Sequence, residues 1–258
     1  MLLLVTIPAG WVASGTAEIV VALAIICGIH ALKWRGIRRE AGLIEARERR
    51  LGIGSPGDVP DWLEYDTAEI AGIAGLSKPE VCLKGVSAKG VKKGGRTARE
   101  RVPYVGALRA TESSGLILVS PGALDLLTRR ELRAVMAHEV SHLLHNDSRG
   151  SMALRVLVSV AVFLTLTFHG FWLAVAACGT AWFISAVRSR RIEWRADREG
   201  ARFSQDPLAL ASALSKIDGW KRLNTTGQTY LFEVVFGTHP LSSARIKALR
   251  RMAETTPA

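Results

Sequence analysis

Thr128-Arg129-Arg130-Glu131-Leu132-Arg133-Ala134-Val135-Met136-Ala137-His138-Glu139-Val140-Ser141-His142 is the stretch whose reading decides the rest of the chain. On a helix, His138 and His142 stand one turn apart with Glu139 beside them. That arrangement binds Zn²⁺ and sets a general base against the water it activates. The helix is encoded locally. Thr128 and Glu131 form a T-x-x-E capping box, and Leu132, Val135 and Met136 make an apolar stripe that buries one face while the histidines project from another. The plain alternative is a pair of ordinary surface or core histidines, since so short a pattern recurs by chance.

The third ligand separates the two readings. Structural zinc sites close with four protein ligands, whereas hydrolytic ones use three and leave a position to water. An extended H-E-x-x-H-x-x-G-x-x-H site is excluded, because His145 and Ser148 stand where glycine and histidine are required. Downstream, Arg191 to Ala201 reads as a second helix with Glu193 and Asp197 four residues apart and therefore on one face. Glu193 completes a His-His-Glu set. Asp197 is spaced to accept the remaining ring N–H of a ligand histidine, His138 in this reading, which fixes its tautomer. A solvated charged face paired with nearby arginines is the alternative for both carboxylates.

Three motifs together resemble a known family: His138-Glu139-x-x-His142 with Asp147, the Glu193-x-x-x-Asp197-x-x-Gly200-Ala201 stretch, and Thr238-His239-Pro240 followed by Arg245-Ile246. They look like the integral-membrane zinc metallopeptidases that include the HtpX heat-shock protease and the CAAX prenyl protease. The resemblance spans roughly residues 60 to 255. It implies an α+β, mainly helical fold: a zincin-like (gluzincin) catalytic domain with a small sheet beside the active-site helix, plus transmembrane helices. The run from Gly115 to His138 resembles that family's strand, short helix and active-site helix. Many members carry Asn-Ala-Phe upstream of the strand, where this chain has Val102-Pro103-Tyr104-Val105-Gly106-Ala107-Leu108-Arg109. His239 is expected near the metal, donating to the oxyanion or occupying the water position, with a plain turn residue beside Pro240 as its equal alternative, and Arg245 is expected to hold or polarise substrate.

Composition agrees with a membrane enzyme. The chain has 258 residues, 48% of them hydrophobic, and several stretches are too apolar for a soluble core. Trp11 to Leu32 holds a single charged side chain, Glu18, and is long enough to cross a bilayer. No basic residue precedes it, so a cleaved signal peptide is disfavoured. A second apolar block, Val156 to Val187, is flanked by arginines and reads as a tight helical hairpin turning near His169-Gly170. One long tilted span, or a helix pair that never crosses, is the alternative. A hairpin returns both ends to one side, where His138, His142 and Glu193 can meet. Lysines and arginines crowd the exit of the first span, which puts the N-terminus outside and the catalytic domain in the cytoplasm by the positive-inside rule. The expected organisation is an N-terminal transmembrane helix (1–36), a charged helix and linker (37–60), the first part of the catalytic domain (61–150), the hairpin (151–188) and the second part of the catalytic domain (189–258).

Cys27, Cys82 and Cys178 have no C-x-x-C spacing, so neither a disulfide framework nor a cysteine zinc site is supported. Strand-like runs at 79–84, 102–111 and 115–120 predict the sheet, with the last strand a candidate edge for an added peptide and an ordinary paired core strand its equal alternative. The basic loop from Lys84 to Arg101 has no aromatic residue for base stacking, so nucleic-acid binding is not expected; anionic lipid fits its charge better, and a merely solvated loop is the commonest explanation of such a run. The sequence therefore predicts a multi-pass protein of the cell (inner) membrane, a metalloendopeptidase with one Zn²⁺ per chain. Its substrates would be membrane or misfolded proteins. Its ligands would be His138, His142 and Glu193, its base Glu139, and its supports His239, Asp197 and Arg245. A protease domain of a signalling receptor and an inactive membrane scaffold are the rival readings.

Overall fold

The computed structural model describes residues 59–83, 102–109, 115–169, 171–224 and 242–255, together with Gly28 and Leu32. The expected first span and charged segment, the basic loop 84–101 and His239 fall outside these residues, Gly28, Leu32 and residues 59–60 apart. The chain divides into two compact units, Met1–Glu40 with Ser151–Ala181, and Ala41–Gly150 with Trp182–Ala258.

In the second unit, α1 (Asp61–Ile73) precedes the strands β1 (Glu80–Leu83), β2 (Val105–Arg109) and β3 (Gly115–Val119), then α2 (Pro121–Leu126) and α3 (Arg129–Leu144). The sheet has the order β1-β3-β2. β3 pairs in parallel with β1, Val81 opposite Ile117, and antiparallel with β2, Ala107 also opposite Ile117. Of the two readings of the last strand, the paired core strand holds and the open edge does not. β3 is paired on both sides, because its apolar run Gly115-Leu116-Ile117-Leu118-Val119 suits a covered strand, and the edges among the described residues are β1 and β2. Ser120 joins β2 to β3. Its buried hydroxyl accepts from Tyr104 N at 2.8 Å and from Ala123 N at 3.1 Å, capping α2, and donates to Val102 O at 2.7 Å.

The capping box predicted for α3 is formed, with Thr128 Oγ1 accepting from Glu131 N and Glu131 accepting from Thr128 N. One apolar core then immobilises the helix. Leu132, Met136 and Val140 of α3 are fully buried with Leu63 and Ile70 of α1 and with Ile117 and Val119 of β3. Leu210 of α6 (Pro207–Asn224) and Leu249 of α7 (Ser242–Thr255) close it from the other side. Each such side chain contributes about 1.5–3 kcal/mol on burial, so α3 is held from three directions. Glu131 adds a polar tie to α6, accepting from Ser212 Oγ at 2.6 Å and Lys216 Nζ at 2.7 Å. Burial opposes its ionisation, but Lys216, Ser212 and Thr128 outweigh it and hold its pKa down to about 2.

The apolar block is helical on both sides of Gly170: α4 spans Asp147–His169 and α5 spans Phe171–Ser204. Glu193 was expected on a helix of its own. Instead α5 runs unbroken from the apolar arm through Glu193 and Asp197, since no proline interrupts it and its arginines and alanines are good helix formers. The start of α4 and the later part of α5 lie side by side. Arg195 of α5 pairs with Asp147, and a Cβ on Gly150 would strike the Arg188 guanidinium. Among the described residues no helix is long and apolar enough to cross a membrane.

Candidate metal centre

On α3 the four-residue spacing brings the rings of His138 and His142 edge to face, with centroids 4.8 Å apart and Nε2 atoms 3.1 Å apart. Glu193 arrives from α5, its Oε2 3.6 Å from His138 Nε2 and its Oε1 4.0 Å from His142 Nε2. Ligand atoms around one tetrahedral zinc sit roughly 3.3 Å apart, given metal–ligand bonds of about 2.0–2.2 Å. The three donors bracket that spacing, all within 4.8 Å of one another, so they fit a single small divalent cation. Gly200 permits the approach. A Cβ there would stand 2.8 Å from the backbone N and Cα of His138, and only a residue without one lets α5 lie directly on α3. Glu199 reinforces the contact, accepting from Ser141 Oγ at 2.6 Å and meeting His145 Nε2 at 3.0 Å.

Each histidine is backed by a carboxylate that is backed in turn by an arginine. His142 Nδ1 meets Asp147 Oδ2 at 2.9 Å, and Arg195 Nη2 donates to both Asp147 oxygens at 2.8 and 2.6 Å. His138 Nδ1 stands 3.1 Å from Asp197 Oδ1 but off the direction of a well-formed hydrogen bond. Asp197 is gripped by Arg245, Nε to Oδ2 at 2.7 Å and Nη2 to Oδ1 at 2.6 Å. At His142 the carboxylate favours the tautomer with its proton on Nδ1, which leaves the Nε2 lone pair for a metal, and Asp197 stands in the corresponding place behind His138. Burial pushes both aspartates toward the neutral form. His142 and Arg195 outweigh it at Asp147, as Arg245 and His138 do at Asp197, so both carboxyls titrate below the ordinary range. Burial also disfavours a charged His142, yet Asp147, Glu139 and Glu193 together raise its pKa.

Glu139 is buried beside the ligands, and the Ala107 N–H of β2 donates to its carboxylate. Burial is the largest influence on it and raises its pKa; the two histidines and Ala107 oppose that, Glu193 adds to it, and the net shift is upward. Such a carboxylate is a stronger proton acceptor than a solvated one. Arg245 stands behind the site, 8% exposed, with Nη1 3.1 Å from Glu193 Oε2, rather than out toward a substrate. Sequence reasoning quoted Asp147 and Gly200 without assigning a task to either, and it overlooked Arg195, Glu199 and the Ala107 amide. The five-residue step from His142 to Asp147, which returns the chain to the same end of α3, was the available signal for Asp147.

Two histidines and a glutamate converging from two helices, with the buried Glu139 carboxylate beside them, fit a metal-dependent hydrolase. Residues 101–253 match the model of Peptidase family M48. The "Protease HtpX homolog" of Ralstonia pickettii (strain 12J) is 33% identical over 220 residues, covering 72% of each chain. That of Pyrococcus abyssi (strain GE5 / Orsay) is 28% identical over 235 residues, 78% of this chain and 76% of its own. The crystal structure of S. mikatae Ste24p superposes with a TM-score of 0.57 at 16% identity, over 93% of this chain and 63% of that one. This chain thus spans less than two thirds of Ste24p, and the likeness is one of fold. The chain belongs to peptidase family M48 and is a metalloprotease.

Proposed function

We propose that the chain is a membrane-embedded, zinc-dependent endopeptidase that cleaves membrane or misfolded proteins on the cytoplasmic side. The observation that carries this reading is the convergence of His138, His142 and Glu193 with Glu139 beside them. Two imidazoles and one carboxylate suit zinc, and three protein ligands suit a hydrolytic site. Zinc bound there supplies a Lewis acid that acidifies water and polarises the scissile carbonyl. Asp147 and Asp197 hold the rings in the tautomer that leaves each Nε2 free. Glu139 accepts the proton of the attacking water and returns it to the departing amine. The outer edge of β2, whose Ala107 amide already reaches Glu139, is the edge at which an extended substrate adds main-chain hydrogen bonds. His239, in this reading, assists the oxyanion.

The membrane assignment draws on side chains that a water-soluble helix would bury. Leu157 on α4 and Trp172, Leu173, Val175, Trp182, Phe183 and Ile184 on α5 are exposed, Trp172 by 80%. A set of this kind is supported by lipid rather than water. A buried base hydrogen-bonded to the neighbouring strand argues against an inactive scaffold, which has no use for one at an open metal site. The test is metal content and casein cleavage by the purified full-length chain. Wild type carries one zinc per chain and is inhibited by chelator; Glu139→Gln keeps the zinc and loses cleavage; His142→Ala loses both. Full activity in Glu139→Gln removes the proposed base.

A further inference from the structure

Tyr104, just before β2, has no part in the chemistry described so far, yet its phenol lies close enough to Glu139 to feel the charge of that carboxylate. Its backbone is clamped on both sides, N donating to Ser120 Oγ at 2.8 Å and O accepting from Ser120 N at 2.9 Å. Its ring is not enclosed: Tyr104 is 40% exposed. Positions 104 and 106 point to the same face of an extended strand, and the phenol lies along β2 over Gly106. A Cβ at Gly106 would meet Tyr104 Oη, with Cζ 2.6 Å away, so the missing side chain makes the notch in which the ring rests. Among the described residues nothing hydrogen-bonds to that hydroxyl.

We propose that Tyr104 is a further catalytic residue, whose hydroxyl, seated over Gly106 beside Glu139, donates a hydrogen bond to the carbonyl oxygen of the scissile peptide as it becomes an oxyanion. The inference rests on the peptidase reading above. It requires no proton transfer, because the phenolic proton stays on Tyr104 throughout. Burial, and after it the charge of Glu139, raise the phenol above its ordinary pKa, so it remains a donor over the working range of the enzyme. The Ala107 amide ties Glu139 to the same strand, two residues beyond Gly106's neighbour Val105. Strand, base and phenol therefore present a single surface to one peptide group. The role suits a preorganised donor: the backbone is fixed, the notch selects the rotamer, and the hydroxyl is free to bond a ligand.

The full-length zinc-loaded protein, in detergent, is assayed on casein and titrated with a phosphinic peptide, whose tetrahedral oxyanion mimics the transition state. Tyr104→Phe lowers kcat by about 10- to 100-fold with KM within about twofold, and weakens phosphinic-peptide binding by a similar factor. Zinc content and melting temperature stay at wild-type values, which a merely structural residue would not combine with lost turnover. Gly106→Ala evicts the ring, so it reproduces the loss in the Tyr104 enzyme and adds little in the Tyr104→Phe enzyme. If Tyr104→Phe retains kcat and phosphinic-peptide affinity within twofold, while wild type shows chelator-sensitive cleavage, the role of Tyr104 is overturned and the peptidase reading stands. If wild type shows no chelator-sensitive cleavage, both fall. Equal losses from Gly106→Ala in both backgrounds also overturn it, since Gly106 would then act without Tyr104.

Discussion

Gly200→Ala perturbs the site without touching a ligand. The added Cβ would lie 2.8 Å from His138 N and Cα and 3.1 Å from its Cβ. Carbon atoms in ordinary contact stand about 3.5–4.0 Å apart, so the two helices must separate by roughly 0.7 Å or more. The atoms it meets are chiefly backbone, which cannot swing aside, and His138 sits on the helix that the core holds most firmly. The displacement therefore falls on α5 and on the Glu193 and Asp197 it carries. Overpacking of this kind costs about 1–3 kcal/mol. A shift approaching 1 Å at a positioned group costs about 100-fold in rate. The expected result is a lower melting temperature, zinc affinity weakened by about 10-fold or more in a chelator competition, and kcat reduced more than KM is raised. A Gly200→Ala enzyme with wild-type zinc affinity and turnover within twofold would refute the claim that this contact sets the ligand geometry.

Two further outcomes follow from the charged pairs. Asp147→Asn leaves the ligands intact and keeps one acceptor oxygen, but removes the negative charge behind His142 and facing Arg195, and zinc affinity measured by competition falls by about 10- to 100-fold. Glu131 bears on pH. Its folded pKa of about 2 lies below its ordinary 4.5, so its stabilisation is present in full above the ordinary value and is lost as pH falls toward 2. Glu131→Gln is thus destabilised by on the order of 2–3 kcal/mol near neutral pH, and its melting temperature approaches that of wild type only as pH falls to about 2. A constant difference across that window would show that Glu131 acts through packing alone.

What could be read from the sequence was what local spacing encodes. The capping box of α3, the helical step from His138 to His142, the shared face of Glu193 and Asp197, and the strand-like runs depend on residues within a turn or two of one another. They follow from periodicity and end chemistry alone. The motifs likewise marked the candidate ligands before any coordinates. Strand order was different in kind: nothing within Gly115–Val119 states that β1 and β2 will flank it, because pairing is decided by which surfaces the whole chain can bury together.

The tertiary structure alone decided how the marked residues meet. It turned Arg245 inward onto Asp197 and Glu193, set Asp147 and Arg195 behind His142, aimed the Ala107 amide at Glu139, and laid Gly200 against the backbone of His138. Apart from the five-residue step from His142 to Asp147, these contacts join residues dozens of positions apart. Their geometry depends on how closely α5, β2 and α3 approach, a distance that core packing sets and that no periodicity within one segment contains.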